Sequence, residues 1–267
     1  MAAAAPPSRD RAGAKECILR VENLSVRFPQ QGTGGVKAVQ DVSFDLGADE
    51  ILGIVGESGS GKTTLGRCVA GLIQPSEGMI HVEAPGSGAR SPATADKIQM
   101  VFQESTTALN PRLAVWRSVA EAVSGGQSVS SRLQPAAMAQ LQRVGLSPEQ
   151  GLKLPRELSG GQRQRVGIAR ALASGARIIV CDEAVAALDV SVRARVLNLI
   201  ADLRRSAGVS FIFISHDMSV VAHLADRVLV MQHGRIVEQG TTRDIIANPS
   251  HDYTKHLISC VPDIALC

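Results

Sequence analysis

The sequence predicts an α/β fold with a mainly parallel sheet core, an antiparallel β-subdomain at the N-terminus and a helical subdomain inserted between core strands. Three observations predict it. Apolar runs of strand length alternate with helical patterns along much of the chain, as in a parallel sheet covered by helices. One of these runs, Glu50-Ile51-Leu52-Gly53-Ile54-Val55, leads directly into a glycine-rich stretch at residues 56–64 and then into a helical pattern. Between residues 104 and 175 helical patterns and glycine- or serine-rich linkers displace the strands.

Residues 1–16, small and charged, predict a disordered tail. Residues 17–103 predict the first part of the sheet core. Within it, segments 18–28 and 36–46 alternate apolar and polar residues, which predicts two antiparallel strands joined by the loop Gln30-Gln31-Gly32-Thr33-Gly34-Gly35. Phe28 ends the first of them; its ring either stacks on an adenine or packs into the core, and both readings stand. The glycine-rich stretch is followed by a helix over about residues 62–72, a strand at 78–83, a turn at 84–88 and a strand at 97–102 that ends at Gln103. The helical subdomain, 104–175, carries helices at 115–123, 135–144 and 160–174. Core character returns over 176–240 with a buried strand ending in Asp182 and Glu183. A helix at 191–205, a strand at 209–214, a helix at 218–224 and strands at 227–231 and 235–238 complete it. Residues 241–267 predict a C-terminal helical tail. In open α/β sheets the ligand crevice lies at the carboxyl ends of the strands, where Gly56, Gln103, Asp182 and Ser215 fall.

At 267 residues the chain has enough apolar positions for one large domain with a subdomain. The formal net charge is +3 and aromatic residues make up 3%, so the concentrated basic face and stacking side chains of a nucleic-acid binder are missing, and no nucleic-acid partner is expected. Five cysteines, Cys17, Cys68, Cys181, Cys260 and Cys267, are odd in number and form no C-x-x-C pair, which fits a reduced, cytosolic protein. Cys68 and Cys181 fall in expected core elements as small hydrophobes. The first residues lack the apolar centre of a signal peptide. The best candidate for a membrane span, 209–231, is interrupted by His216, Asp217, His223, Asp226 and Arg227. A membrane role therefore requires a partner.

Two stretches carry anion chemistry. Residues 56–64, Gly56-Glu57-Ser58-Gly59-Ser60-Gly61-Lys62-Thr63-Thr64, fit G-x-x-x-x-G-K-[ST] between strand and helix. The glycines let backbone N–H groups turn inward around phosphates, Lys62 adds a point charge and Thr63 offers a hydroxyl to Mg²⁺. The second stretch is Leu158-Ser159-Gly160-Gly161-Gln162, which opens a helix. Ser159 suits an N-cap, while Gly160 and Gly161 cost helix stability and leave first-turn N–H groups open, which favours a phosphate contact over a plain capped helix. Having no lysine, this half-site points to two chains paired head to tail, each completing the other's nucleotide.

Taken in order, residues 56–64, Gln103, residues 158–162, Asp182-Glu183, Asp189 and His216 resemble the nucleotide-binding subunit of an ABC transporter, a P-loop NTPase. The resemblance spans nearly the whole chain beyond the tail. It implies ATP and Mg²⁺ as ligands, with ATP held by Gly56, Ser58, Gly59, Gly61, Lys62, Thr63 and Thr64. It implies Mg²⁺ near Thr63, Gln103 and Asp182, Glu183 as general base, and His216 at the γ-phosphate. Gln103 would sense the metal and water while linking the core to the helical subdomain. Phe28 would stack on adenine, Ser159, Gly160, Gly161 and Gln162 would contact the partner's nucleotide, and Asp189 would lie at the dimer interface. Ser215-His216-Asp217 is not expected to form a nucleophilic triad, because sequence neighbours seldom converge in that geometry.

The stretch Asn248-Pro249-Ser250-His251-Asp252-Tyr253-Thr254-Lys255-His256-Leu257 is similar to the tail of ATPases serving oligopeptide, dipeptide and nickel importers, as is the pattern at 103–112. Asp252 stands where that tail has proline, and Ala186 where the family carries a hydroxyl. This resemblance implies import of peptides, or of nickel or metal complexes, by a chain at the cytoplasmic face of the membrane. The implied partners are a second ABC ATPase subunit, identical or different, two transmembrane permease subunits and, indirectly, an extracytoplasmic solute-binding protein. A soluble ABC-type ATPase uncoupled from transport is the alternative.

Overall fold

The computed structural model describes residues 16–29, 35–83, 90–92, 98–102 and 109–260. The tail up to residue 15, the linker at 30–34, the expected turn at 84–88, Gln103 and Cys267 lie outside them. β1 (Cys17–Phe28) and β2 (Val36–Gly47) pair antiparallel, as their alternation predicts. β3 (Ile51–Val55) runs into α1 (Lys62–Val69), shorter than expected because Gly71 takes a positive φ just beyond it. β4 (Glu77–Glu83) pairs antiparallel with β1, and the short β5 (Arg90–Pro92) pairs with β4. The result is a four-stranded sheet of order β2-β1-β4-β5.

β6 (Ile98–Val101) belongs to the second sheet. A helical group follows: α2 (Val115–Val123), α3 (Gln134–Arg143), α4 (Pro148–Leu152) and α5 (Gly160–Ala173). Then come β7 (Ile178–Asp182), α6 (Val190–Ala207), β8 (Ser210–Ser215), α7 (Met218–Leu224), β9 (Arg227–Gln232) and β10 (Arg235–Thr241). α8 (Thr242–Ala247) and α9 (Asp252–Ser259) close the described chain. The second sheet has six strands in the order β10-β9-β3-β8-β7-β6, parallel except for the β9–β10 hairpin.

Strand alternation divides the core into two layers. Ile51 and Val55 of β3, Ile179 and Cys181 of β7 and Phe211 and Phe213 of β8 face the layer built by α2, α3, α5, α6 and α7. Leu52 and Ile54, Ile178 and Val180, and Ile212 and Ile214 face the opposite layer, shared with β1, β2 and α1. Strands covered on both faces have no room for a polar position, which explains why these segments read as continuous apolar runs. Cys68 and Cys181 are buried in these layers, and burial pushes their thiols up to about 11 and about 12, so they behave as hydrophobes.

A buried ion pair joins the sheets behind the site. Glu50, just before β3, accepts a hydrogen bond from Gly47 N and pairs with Arg227 at 3.1 Å. With this carboxylate satisfied, the chain can turn from β2 into β3 without stranding a charge in the interior.

Candidate functional site

β3 ends at the centre of its sheet, flanked by β8 and β9, and delivers the loop at 56–64 to the carboxyl edge. Gly56 (φ 151°) presses so closely on β9 that a Cβ there would collide with the Met231 carbonyl. Gly61 (φ 103°) sits likewise against the Ala38 carbonyl of β2. At these two positions both the backbone angle and a close neighbour require glycine, while Gly59 (φ 82°) needs it by backbone angle alone. The β9–β10 turn braces the loop, since Gly234 N donates to Ser60 O at 2.9 Å and Gln40 N to Gly234 O at 2.8 Å. His233 and Gly234 both have positive φ, the requirement of a two-residue primed hairpin turn.

Lys62 is only 5% exposed, and its ammonium donates to the carbonyls of Gly56 and Glu57, each at 2.7 Å, and to Ser60 Oγ at 3.3 Å. Burial lowers its pKa, against the pull of Glu183, Asp182 and Glu57. Thr63 Oγ1 donates to Asp182 Oδ1 at 3.0 Å, which ties the start of α1 to the end of β7. Burial raises the pKa of Asp182, opposed by that hydrogen bond.

Glu183 follows β7 in the left-handed region, at φ 48°. Its N–H donates to Ile214 O at 3.0 Å and its carbonyl accepts from Ala186 N at 3.1 Å, two bonds that hold a backbone most side chains avoid. Its carboxylate lies 3.3 Å from His216 Nδ1. A cavity of about 470 Å³ is lined by Ser58, Gly59, Gly61, Lys62, Thr63 and Thr64 of the loop and helix and by Glu183, with Val36, Lys37, Ala38, Gln40, His233 and Gly234 completing the rim. The rim residues from β2 and the β9–β10 turn carry no motif and were not anticipated; only the turn-forming His233-Gly234 pair left a local signal.

Phe28 is 40% exposed and pairs with rim residue Val36, so the core reading of this ring is set aside and the ring is open to stacking. Ser215 does not serve a triad: its hydroxyl accepts from Asp217 N at 3.0 Å, and Asp217 caps α7 through Ser219 N. Ser159 caps α5 as expected, in a reciprocal box with Gln162. A Cβ at Gly160 would meet the side chains of Leu188 and Arg163 at ordinary contact distances. Gly161 has a packing reason as well, since a Cβ there would run into Val192 of α6. None of Ser159, Gly160, Gly161 or Gln162 lines the loop cavity. Asp189 caps α6 through Val192 N at 2.9 Å; that hydrogen bond, with help from Ser191, holds its carboxyl below the usual range. Beside it Val190 is 80% exposed. Gln103 lies outside the described residues.

A wider depression of about 640 Å³ lies among α6, α7 and α8, lined by Arg204, Asp226 and Arg243. Arg204 already forks onto Asp226 at 2.8 Å, and none of the loop or strand-end residues reaches it, so the smaller cavity is the candidate site.

A strand, a glycine loop and a helix facing paired strand-end carboxylates define a phosphate-loop nucleotide-binding cassette. Residues 39–186 match the ABC transporter family, and residues 237–266 match the oligopeptide/dipeptide transporter C-terminal region. The chain is 45% identical over 258 residues to "Probable peptide ABC transporter ATP-binding protein y4tS" of Sinorhizobium fredii, covering 92% of this chain and 73% of that protein. It is 44% identical to the glutathione import ATP-binding protein GsiA of Escherichia coli, but spans only 41% of its length. Among solved structures, the dimeric post-hydrolysis state of the cassette MJ0796 bound to ADP and Pi aligns with a TM-score of 0.73 at 25% identity, over 85% of this chain and 99% of that one. The structure of cbiO1 from Clostridium perfringens, part of the ABC transporter complex cbiONQ, aligns with a TM-score of 0.74 at 25% identity, over 88% of this chain and 92% of that one. This chain belongs to the ABC transporter ATP-binding family, in its oligopeptide/dipeptide branch, and it is an ATPase.

The raised pKa of Asp182 means that its ionised form costs stability. The folded state holds the proton more tightly than the unfolded chain, so the cost grows as pH rises from the ordinary carboxyl range through the raised value. Asp182→Asn keeps an acceptor for Thr63 and should melt no lower than the wild type at pH 8, with the advantage fading in acid. A differential scanning calorimetry series from pH 4 to 8 checks this, and a lower melting temperature at pH 8 would count against it.

Proposed function

We propose that the chain is the ATP-hydrolysing subunit of an importer that carries peptides or peptide-like solutes across the cytoplasmic membrane, working from its cytoplasmic face. The observation that carries the catalytic reading is the Glu183–His216 pair, 3.3 Å apart, with Glu183 lining the same cavity as Lys62 and Thr63. In this reading Lys62 trades its carbonyl partners for the phosphates of ATP, and loop N–H groups bind the rest of the anion. Glu183 takes the proton of the attacking water, and His216 orients that water at the γ-phosphate. Phe28 stacks on the adenine.

The hydroxyl of Thr63 and the carboxylate of Asp182 are hard oxygen donors of the kind Mg²⁺ takes alongside phosphates, and the resemblance in sequence adds Gln103 to this set. Bound there, the metal would neutralise charge on the β- and γ-oxygens.

The absence of Ser159 to Gln162 from the loop cavity supports a composite site, in which each chain's signature helix covers its partner's nucleotide. Exposed Val190 beside the capped Asp189 is the apolar contact such an interface needs. Two permease subunits and an external solute-binding protein complete the assembly. A groove of about 260 Å³ between β6, α2 and α5, lined by Met100, Phe102, Leu109 and Ala122, is the surface we assign to a permease helix. The peptide assignment rests on the family match at 237–266 and on the relatives' names, with glutathione and metal complexes as the neighbouring solute classes.

Glu183→Gln should bind ATP normally while turnover falls about 10²–10⁴-fold; a variant hydrolysing at the wild-type rate removes Glu183 from the base role. For the composite site, a dimer with Ser159→Arg on one chain and Lys62→Ala on the other puts both defects in one of two sites. Its ATP turnover should fall to about half, whereas a signature serving its own loop would leave none. Transport coupling is read by affinity purification from detergent-solubilised membranes: polytopic permease subunits should accompany the chain, and recovery with ribosomes or DNA instead would favour a soluble ATPase.

A further inference from the structure

A polar contact reaches the phosphate-binding loop from near the C-terminal end of the described chain. The hydroxyl of Tyr253, on α9, accepts a hydrogen bond from Glu57 N at 2.8 Å across 196 residues of sequence. The Tyr253 ring is 8% exposed and packs in the helical layer of the core, so the hydroxyl is delivered by a fixed ring. Its base is fixed too. Glu238 of β10 accepts from Ser250 N at 2.8 Å, from Ser250 Oγ at 2.7 Å and from His251 N at 3.1 Å. His251 Nδ1 then accepts from Tyr253 N at 3.2 Å and caps α9. A continuous set of contacts thus runs from the sheet edge, through the 250–253 turn, to the loop.

The geometry of one peptide unit gives this contact its consequence. The N–H of Glu57 and the C=O of Gly56 belong to the same planar group and point in opposite directions. Gly56 carries no side chain to resist rotation of that plane. Holding Glu57 N–H on Tyr253 therefore aims the Gly56 carbonyl the other way, and there it accepts from Lys62 Nζ at 2.7 Å. The Glu57 carbonyl, in the next peptide plane, accepts from Lys62 Nζ at 2.7 Å and from Ser60 N at 3.2 Å, so the ammonium is held by two consecutive carbonyls, the first of them aimed by the plane that Tyr253 holds.

We propose that Tyr253 is a positioning residue for the phosphate-binding loop: its hydroxyl locks the Gly56–Glu57 peptide, pre-shapes the cradle around Lys62 and ties nucleotide affinity to the seating of α9. The proposal rests on the assignment of residues 56–64 to ATP phosphates. Tyr253 touches no reacting atom; it acts through the loop backbone. A loop without this lock samples other orientations of the plane, and ordering it is then charged against nucleotide binding. Burial raises the phenol's pKa, against the lowering effect of the Glu57 N–H, so the acceptor stays a neutral phenol through physiological pH.

The test compares the full-length chain with Tyr253→Phe, which keeps the ring, and Tyr253→Ala, which loses it. We expect Tyr253→Phe to melt within about five degrees of the wild type and to bind ATP and ADP about three- to tenfold more weakly by titration calorimetry, the range for loss of one hydrogen bond. Amide exchange should accelerate at residues 57–61 and stay unchanged in β3, β7 and β8. In hydrolysis assays KM for ATP should rise by the same factor with kcat held. Tyr253→Phe with wild-type affinity and exchange, and a loss seen only in Tyr253→Ala, would reduce Tyr253 to a packing residue and overturn the proposal. A wild-type chain that binds no ATP would instead overturn the loop assignment beneath it.

Discussion

A single ammonium group organises the centre of this molecule. Lys62 is a charge brought inside the fold, and a buried charge is tolerated only where acceptors surround it. Here those acceptors are loop carbonyls and a serine hydroxyl, so the loop's shape and the lysine's position are one constraint. Each brace around the loop serves it: the close approach of Gly56 to β9, the seat of Gly61 on β2, the Gly234 amide on Ser60 and the Tyr253 hydroxyl on Glu57. Carbonyl oxygens are neutral partners for a cation, and phosphate oxygens are stronger ones, so the same geometry that satisfies Lys62 alone leaves it ready to exchange partners.

The carboxylates opposite are arranged by different physics. Asp182 ends a strand buried on both faces and is steadied by Thr63, whereas Glu183 leaves the strand in a left-handed turn that bends its side chain toward His216. Two adjacent acids therefore occupy unlike surroundings, one enclosed and one lining the cavity, and the division of roles proposed for them, metal holder and base, draws on that difference.

Most of the fold was legible because its strands are extreme cases. β3, β7 and β8 are buried on both faces and read as unbroken apolar runs, while β1 and β2 show the alternation of one covered face. α4 was not anticipated and α8 was expected only as an undivided part of the helical tail, since five or six residues carry too little periodicity; their Ser147–Gln150 and Thr241–Asp244 caps are the local signals that mark them. β10 runs to Thr241 rather than residue 238 because Gln239 and Gly240 still find partners on β9, which local composition does not reveal. The loop, the strand-end acids and the signature were legible as motifs. The cavity rim from β2 and the β9–β10 turn, and the Tyr253 contact, were not, because they depend on which distant segments the sheet order brings together.

Gly161 adds a mechanical consequence. With no side chain there, the first turn of α5 lies directly on Val192 in the first turn of α6, and the cap residues Ser159 and Asp189 sit at the starts of those two helices. Close-packed interiors transmit displacement with little give. A tilt of α5 is thus passed to the Asp189 corner as through a bearing with no play, and the two edges proposed to meet a neighbouring chain would advance or withdraw together.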